Sequence, residues 1–302
     1  MKKSIVYFLP YSGHDTKEIA RGARKLLDVL VTEEDILLEK NLPIKVHFGE
    51  PGNTSYVKPE NYSEIITFVK EKGCQPFYVE TCTATGPRSD ATSHKQVAKD
   101  HGFTQIPVHI ADGEKGFDQI EKPVTGGKYF KTAKIAKELA EAKQVLVLSH
   151  FKGHMMSGFG GAIKMVGIGF ASARGKIEQH SKSVVPDSET INWHNWLNLH
   201  TGTTFRERTA EYAQAAVSGQ KNIYITFAIS MVKNCDCDGE EMKPLYEDVG
   251  IFASTDMVAI DAATMAVVKE KIGKKPFDGE EILPYAEKLG IGSSEYELIT
   301  LS

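Results

Sequence analysis

The sequence is poor in cysteine, with four in 302 residues, and that excludes a disulfide scaffold. It has no apolar run near the ~20 residues that a membrane-spanning helix needs. It also lacks a basic excess: 36 Lys and Arg stand against 40 Asp and Glu, for a net charge of −4. A general nucleic-acid binder carries the opposite balance, so neither nucleic acid nor membrane is expected as a partner. There is no internal repeat, no low-complexity tract, no Walker A loop and no GxGxxG fingerprint. What is present, 41% hydrophobic and 25% charged residues, has the proportions of a soluble globular protein and not of a disordered chain. The start, MKKSIVYFLPYSG, begins like a secretory signal. Its apolar run from Ile5 to Leu9 is too short for one and lacks a small-residue cleavage site. A first β-strand and a reducing, cytoplasmic location are therefore expected, with cysteines free or metal-bound.

Short, apolar, β-branched runs alternate with helical spacing along the chain. Strands are expected over 4–9, 43–48, 76–81, 106–110, 144–149, 222–229, 249–253 and 295–301, most of them reading as strands buried on both faces. Asp15 is a candidate N-cap for a helix through Leu30. A second helix over 60–72 stops at Gly73, and others are expected over 89–100, 204–218 and 256–271. Repeated βα units predict an α/β fold, a mostly parallel sheet flanked by helices, with ligands at the C-terminal strand ends. One α/β unit over 1–302 is expected. Segment 112–128 reads as a loop. The irregular segment 181–203, with Trp193, His194, Trp196 and His200, is a candidate lobe boundary or partner surface.

The most informative segment is 149–180. Seven of the 26 glycines fall between Gly153 and Gly175, and each glycine inside a helix costs roughly 1 kcal/mol relative to alanine. Helical spacing puts Phe159, Ile163, Val166 and Phe170 on one stripe, and Ser157, Gly160, Gly161, Lys164, Gly167 and Ala171 on another that is bare except for the lysine. Two readings follow. The bare face and helix start, with Gly158, Gly160 and Gly161, receive an anion beside Lys164; or the helix packs tightly in the core and the lysine snorkels out.

Cys235-Asp-Cys237 offers two thiols one residue apart, enough for part of a soft-metal site but not a closed one, which takes about four ligands. It also reads as a turn, because Asp236, Asp238 and Gly239 are turn formers. Asp256 suits an N-cap. Asp261 sits among apolar neighbours, and a buried carboxylate needs a partner, either Lys164, a histidine or the backbone. Arg88 is a candidate clamp for a carboxylate or phosphate, or a solvated residue at a helix start.

The run His150-Phe-Lys-Gly-His154-Met-Met-Ser-Gly-Phe-Gly-Gly-Ala-Ile-Lys164, with Gly169 to Lys176 and His180, resembles the family catalogued as domain of unknown function 362. So do His47-Phe-Gly-Glu-Pro-Gly-Asn53, Cys235-Asp-Cys237 and the stretch from Asp248 to Asp261. Many members of that family look like fusions with a two-cluster ferredoxin module after the equivalent of His180. Segment 181–203 holds no cysteine, so ferredoxin-type cluster ligands are absent there. The spacing of His154, Gly161-Ala-Ile-Lys164 and His180 also resembles the nickel-pincer lactate racemases. That resemblance implies His154 as acid/base, Lys164 as covalent anchor of a nicotinate-derived cofactor, and His180 as metal ligand. The second catalytic histidine of those enzymes lies in a Gly-x-His-Arg-like turn. Here that turn reads Thr85-Gly86-Pro87-Arg88, which leaves His94 or His101 as stand-ins.

Three functions are therefore expected in turn. The first is an isomerase-like or oxidoreductase-like enzyme acting on a small anionic ligand, with His154, Lys164 and Arg88 in the site. The second is a metal-binding redox accessory protein. It uses Cys235, Cys237 and His180, holds nickel, iron or zinc, and docks on an iron–sulfur partner. The third is a non-catalytic anion-binding module.

Overall fold

The computed structural model describes residues 3–13, 15–182 and 198–302. The strands are β1 (Ser4–Pro10), β2 (Asn41–Lys45), β3 (Gln75–Glu80), β4 (Val108–Ile110), β5 (Gln119–Pro123), β6 (Thr132–Ala136), β7 (Leu146–His150), β8 (Lys152–His154), β9 (Gly158–Gly160), β10 (Ile223–Ala228), β11 (Gly250–Ser254) and β12 (Tyr296–Thr300). The helices are α1 (Thr16–Glu33), α2 (Ser63–Glu71), α3 (Ala91–Asp100), α4 (Lys137–Glu141), α5 (Ala162–Gly167), α6 (Ala173–His180), α7 (Gly202–Val217), α8 (Met257–Ile272) and α9 (Ile282–Lys288).

All eight expected strands join one sheet, in the order β12-β1-β11-β10-β7-β2-β3-β4. Every neighbouring pair is parallel except the two made by β11. Alternation sorts the side chains. Leu146 and Leu148 join one apolar cluster with α1, α2 and α3, whereas Val145 and Val147 join the other with α5, α7, α8 and α9. The result is a three-layer α/β/α fold. Asp15 caps α1 by accepting from Lys17 N (2.7 Å) and Glu18 N (3.3 Å), and Asp256 caps α8 through Val258 N (2.8 Å) and Ala259 N (3.0 Å), as their residue types predict.

From β2 the chain steps outward through β3 to β4. It then crosses back to β7 on the other side of β2 and continues to β10. The order reverses between β2 and β7, and such a switch point opens a crevice at the C-terminal strand ends.

Two expectations need correction. Segment 149–180 is not one glycine-rich helix. Its first part is a hairpin, with Lys152 opposite Gly160 and His154 opposite Gly158, followed by the short helices α5 and α6. Gly158 turns the hairpin with φ +84°, and a Cβ at Gly153 would lie 2.1 Å from the Lys233 carbonyl. Close backbone packing therefore explains much of the glycine density. Segment 112–128 is not all loop, because β5 pairs antiparallel with β6. Most of the candidate lobe boundary, with Trp193, His194 and Trp196, lies outside the described residues. Among the described residues no helix is long and apolar enough to cross a membrane.

Candidate functional site

The C-terminal ends of β2, β3 and β7 open onto a cavity of about 620 Å³. Lys45 ends β2, Glu80 ends β3 and His150 ends β7, so the sheet itself delivers charged side chains to one rim. Lys45 is fully buried, donates to Val46 O (2.7 Å) and pairs with Glu80. Arg88 reaches the same wall and pairs with Glu50 (2.6 Å) and Glu80 (3.7 Å). Lys152 pairs with Asp236 at 2.5 Å. Lys176 donates to Thr81 O, Thr81 Oγ1 and Cys82 O at 2.6–2.9 Å. Lys164 has no carboxylate within 4 Å among the described residues; its ammonium lies 3.9 Å from Cys235 Sγ. Burial and the crowding of cations act together here. Burial, then Lys176, Arg88, Lys152 and Lys164, push Lys45 well below the usual lysine range, and burial brings Lys176 down to about 8. Lys152 goes the other way, because Asp236 and Cys235 outweigh its burial and hold it up.

Asp236 fixes the turn that carries the two cysteines. It is fully buried and takes hydrogen bonds from Lys152 Nζ (2.5 Å), His150 Nδ1 (3.0 Å) and Ser55 Oγ (3.0 Å). Cys235 and Cys237 thereby face the cavity from either side of a rigid point. Cys237 N donates to Cys235 Sγ at 3.3 Å. A hydrogen bond from the Cys237 thiol, together with Lys164 and His154, holds Cys235 well below the usual thiol range despite its burial; Cys237 is raised in turn by the same bond. One ligand atom each from His154, Cys235 and Cys237 lies within 4.8 Å of the others.

The two expected histidines are held in opposite tautomers. His154 Nδ1 accepts from Met156 N (3.2 Å) and Ser157 N (3.1 Å), so the ring proton sits on Nε2 and the ring acts as a hydrogen-bond donor. His180 Nδ1 faces Lys176 O at 2.5 Å. A carbonyl only accepts, so this ring carries its proton on Nδ1 and its lone pair on Nε2, the arrangement of a metal ligand or a base. Burial depresses both, His180 to about 3, so both are neutral rings. Of the two, it is His154 that groups with Cys235 and Cys237 within 4.8 Å.

The start of α5 is already occupied. Asp261 accepts from Ala162 N (2.6 Å) and Ile163 N (3.0 Å), so the backbone is its partner. A Cβ on Gly161 would stand 2.4 Å from Asp261 Oδ1; glycine there admits the carboxylate. The anion expected at this helix start is thus the protein's own. Gly160 and Gly161 still line the cavity, but Gly158 does not, being turned against the Asp278 carbonyl.

The family model described as domain of unknown function (DUF362) matches residues 43–266, well over half of the chain. The chain belongs to the DUF362 family. No curated protein matches it. Among solved structures, this DUF362 chain is similar to a protein from Thermotoga maritima at 14% identity and a TM-score of 0.48, over 92% of this chain and 59% of that one. It is likewise similar to the lactate racemase apoprotein from Thermoanaerobacterium thermosaccharolyticum at 15% identity and a TM-score of 0.48, over 84% of this chain and 54% of that one. It thus spans little more than half the length of either.

Of the sequence-derived candidates, the DUF362 cavity brings together Arg88, His154, Gly160, Gly161, Lys164, His180, Cys235 and Cys237. Neither His94 nor His101 lines it. His94 is buried behind Glu80 at 3.8 Å, and His101 bonds Phe48 O and stacks on Tyr56. The additional histidine in the wall is His47, whose Nδ1 accepts from Gly49 N at 3.0 Å. Lys45, Glu80, Lys152, Lys176 and Asp236 were also missed. A signal existed for two of them: a charged residue inside an apolar strand run, as at Lys45 and Glu80, must find a partner at the strand end.

Proposed function

We propose that this chain is an enzyme that acts on a small carboxylate- or phosphate-bearing molecule bound in the cavity, by acid–base or redox chemistry. The observation that carries this reading is the charge of the wall. Five basic side chains, Lys45, Arg88, Lys152, Lys164 and Lys176, line it against two carboxylates, Glu50 and Glu80. Asp236 neutralises Lys152 from behind, and Lys164 is left facing the open space with only a sulfur near it. A concave site of that size with a surplus of convergent cations favours a small anion. His154 offers an N–H toward such a ligand, and His180 is a neutral ring with its lone pair on Nε2.

A lysine-anchored nickel cofactor, of the kind the racemase resemblance implies, fits the donor chemistry of two residues: Lys164 as the amine and His180, with its lone pair on Nε2, as the metal ligand. When bound, such a group would supply redox chemistry beside the substrate carboxylate. His154 would then donate a hydrogen bond to the substrate oxygen and not take a proton.

A thermal-shift screen tests the anion reading. Pyruvate, lactate, citrate and inorganic phosphate are compared with chloride at equal ionic strength. At least one anion should raise the melting temperature of the wild type, and Lys164→Met should lose that rise. At a ligand concentration one hundred times Kd the gain is about 2.7 kcal/mol. No rise with any of them would remove the reading.

The second reading is a metal-binding redox accessory protein, favoured by the 4.8 Å grouping of His154, Cys235 and Cys237. The tautomer of His154 opposes it, since Nε2 must lose its proton and Nδ1 its two N–H donors before the ring ligates. Near-stoichiometric metal in the purified chain, lost in Cys237→Ser, would favour this second reading.

A further inference from the structure

We propose that Cys235 is the nucleophile of the cavity, adding its thiolate to the carbonyl carbon of a small substrate that also carries a carboxylate or phosphate. This rests on the anion reading above and names the reacting atom within it.

Four features converge on one sulfur. Cys235 sits in the cavity wall, buried but lining the open space. Its Sγ receives the Cys237 N–H at 3.3 Å and lies 3.9 Å from the Lys164 ammonium. A ring nitrogen of His154, whose N–H is on Nε2, is within 4.8 Å. The turn beneath is clamped by Asp236 through Lys152, His150 and Ser55, so the sulfur is held in place before any ligand arrives. Donors that surround a thiolate favour its charged, reactive form.

The other cysteines lack this setting. Cys74 and Cys82 are buried, and burial raises both thiols. Cys82 Sγ lies 3.7 Å from the Gly113 carbonyl, as a thiol donor does. Cys237 is the exposed member of the pair and serves Cys235 as hydrogen-bond donor.

The same donors suit the product of addition. The Cys235 Sγ lone pair forms the carbon–sulfur bond, and the carbonyl π pair moves to oxygen. Lys164 delivers a proton to that oxygen, leaving a neutral amine and a hemithioacetal. No oxidant or reductant enters the step. His154 Nε2–H is the second donor available to the oxygen, the arrangement that stabilises a developing oxyanion. The remaining cations hold the anionic end of the molecule.

Alkylation of the 302-residue chain, mapped by peptide mass spectrometry, tests this. Iodoacetate is the anionic electrophile, iodoacetamide its neutral counterpart, and glyoxylate the carbonyl competitor. Cys235 should be modified first, with iodoacetate about tenfold faster than iodoacetamide because the cavity concentrates anions. Glyoxylate should slow it, and Lys164→Met should narrow the difference between the two reagents. Alkylation of Cys237 or Cys74 ahead of Cys235 would overturn the proposal. So would a Cys235 that reacts only after a chelator strips a metal. Fast alkylation of Cys235 with no preference for iodoacetate would support the nucleophile while removing the anion reading beneath it. An inert Cys235 in a chain that phosphate still stabilises would leave the anion reading standing and overturn this one.

Discussion

The middle of the sheet and its C-terminal rim solve burial in opposite ways. In the middle, β7 and β10 bury leucine, valine, isoleucine and phenylalanine on both faces. Two of their polar side chains, Ser149 and Thr226, satisfy each other at 2.8 Å. At the rim, where β2, β3 and the segments after β3, β7 and β10 meet, Lys45, Glu80, Arg88, Lys152 and Asp236 are all buried and each is kept by a charged partner. The middle depends on volume. The rim depends on pairing, so removing one member leaves another charge stranded. Lys176 is held by Thr81 and Cys82 oxygens in place of a carboxylate, whereas Lys164 has only the Cys235 sulfur near it, so a ligand can complete its pairing.

The largest effect should come from breaking the rim. Asp236→Ala leaves Lys152 and His150 facing no carboxylate and should cost about 3–5 kcal/mol in urea unfolding. A loss near zero would mean that the rim is not interdependent. Leu148→Ala probes the middle, where the cost should be about 2–5 kcal/mol and set by the cavity left behind. There Leu148→Met should cost under about 1.5 kcal/mol, whereas no substitution of similar volume rescues Asp236.

Asp261 sharpens the comparison at its boundary, a carboxylate held by backbone alone. Burial raises it to about 7 from 3.8. The folded chain therefore keeps a proton that the unfolded chain releases. Stability from this group is complete below about pH 4 and is lost as pH rises through about 7. Asp261→Asn should flatten that decline in pH-dependent unfolding, while an unchanged slope would locate the titration elsewhere. The smallest effect on stability should be Lys164→Met, within about 0.5 kcal/mol of wild type, because nothing carboxylate-bearing relies on it.

The same contrast explains what could be read in the sequence. The eight sheet strands and the helices α1, α2, α3, α7 and α8 were legible because apolar periodicity and caps such as Asp15 and Asp256 act locally. The 149–180 segment was misread because its glycines answer to distant backbone: Gly153 to Lys233, Gly161 to Asp261. A helical stripe drawn through Phe159 and Ile163 had no means of registering those contacts. The candidate residues His154, Lys164, Cys235 and Cys237 were named from their motifs, and the structure brings them together. Their roles were not legible. The tautomers of His154 and His180 depend on Ser157 N and Lys176 O, and the partners of Arg88 come from Glu50 and Glu80, on different strands or loops.

Calorimetric titration of wild type and Lys164→Met with the most stabilising anion tests the central claim most directly. Wild type should bind one equivalent per chain. Lys164→Met, still folded with a wild-type melting temperature in chloride, should bind at least about tenfold more weakly, a difference of 1.4 kcal/mol or more. Equal affinity in the two proteins would contradict the account, since the cavity lysine with only a sulfur beside it would then play no part in what the cavity holds.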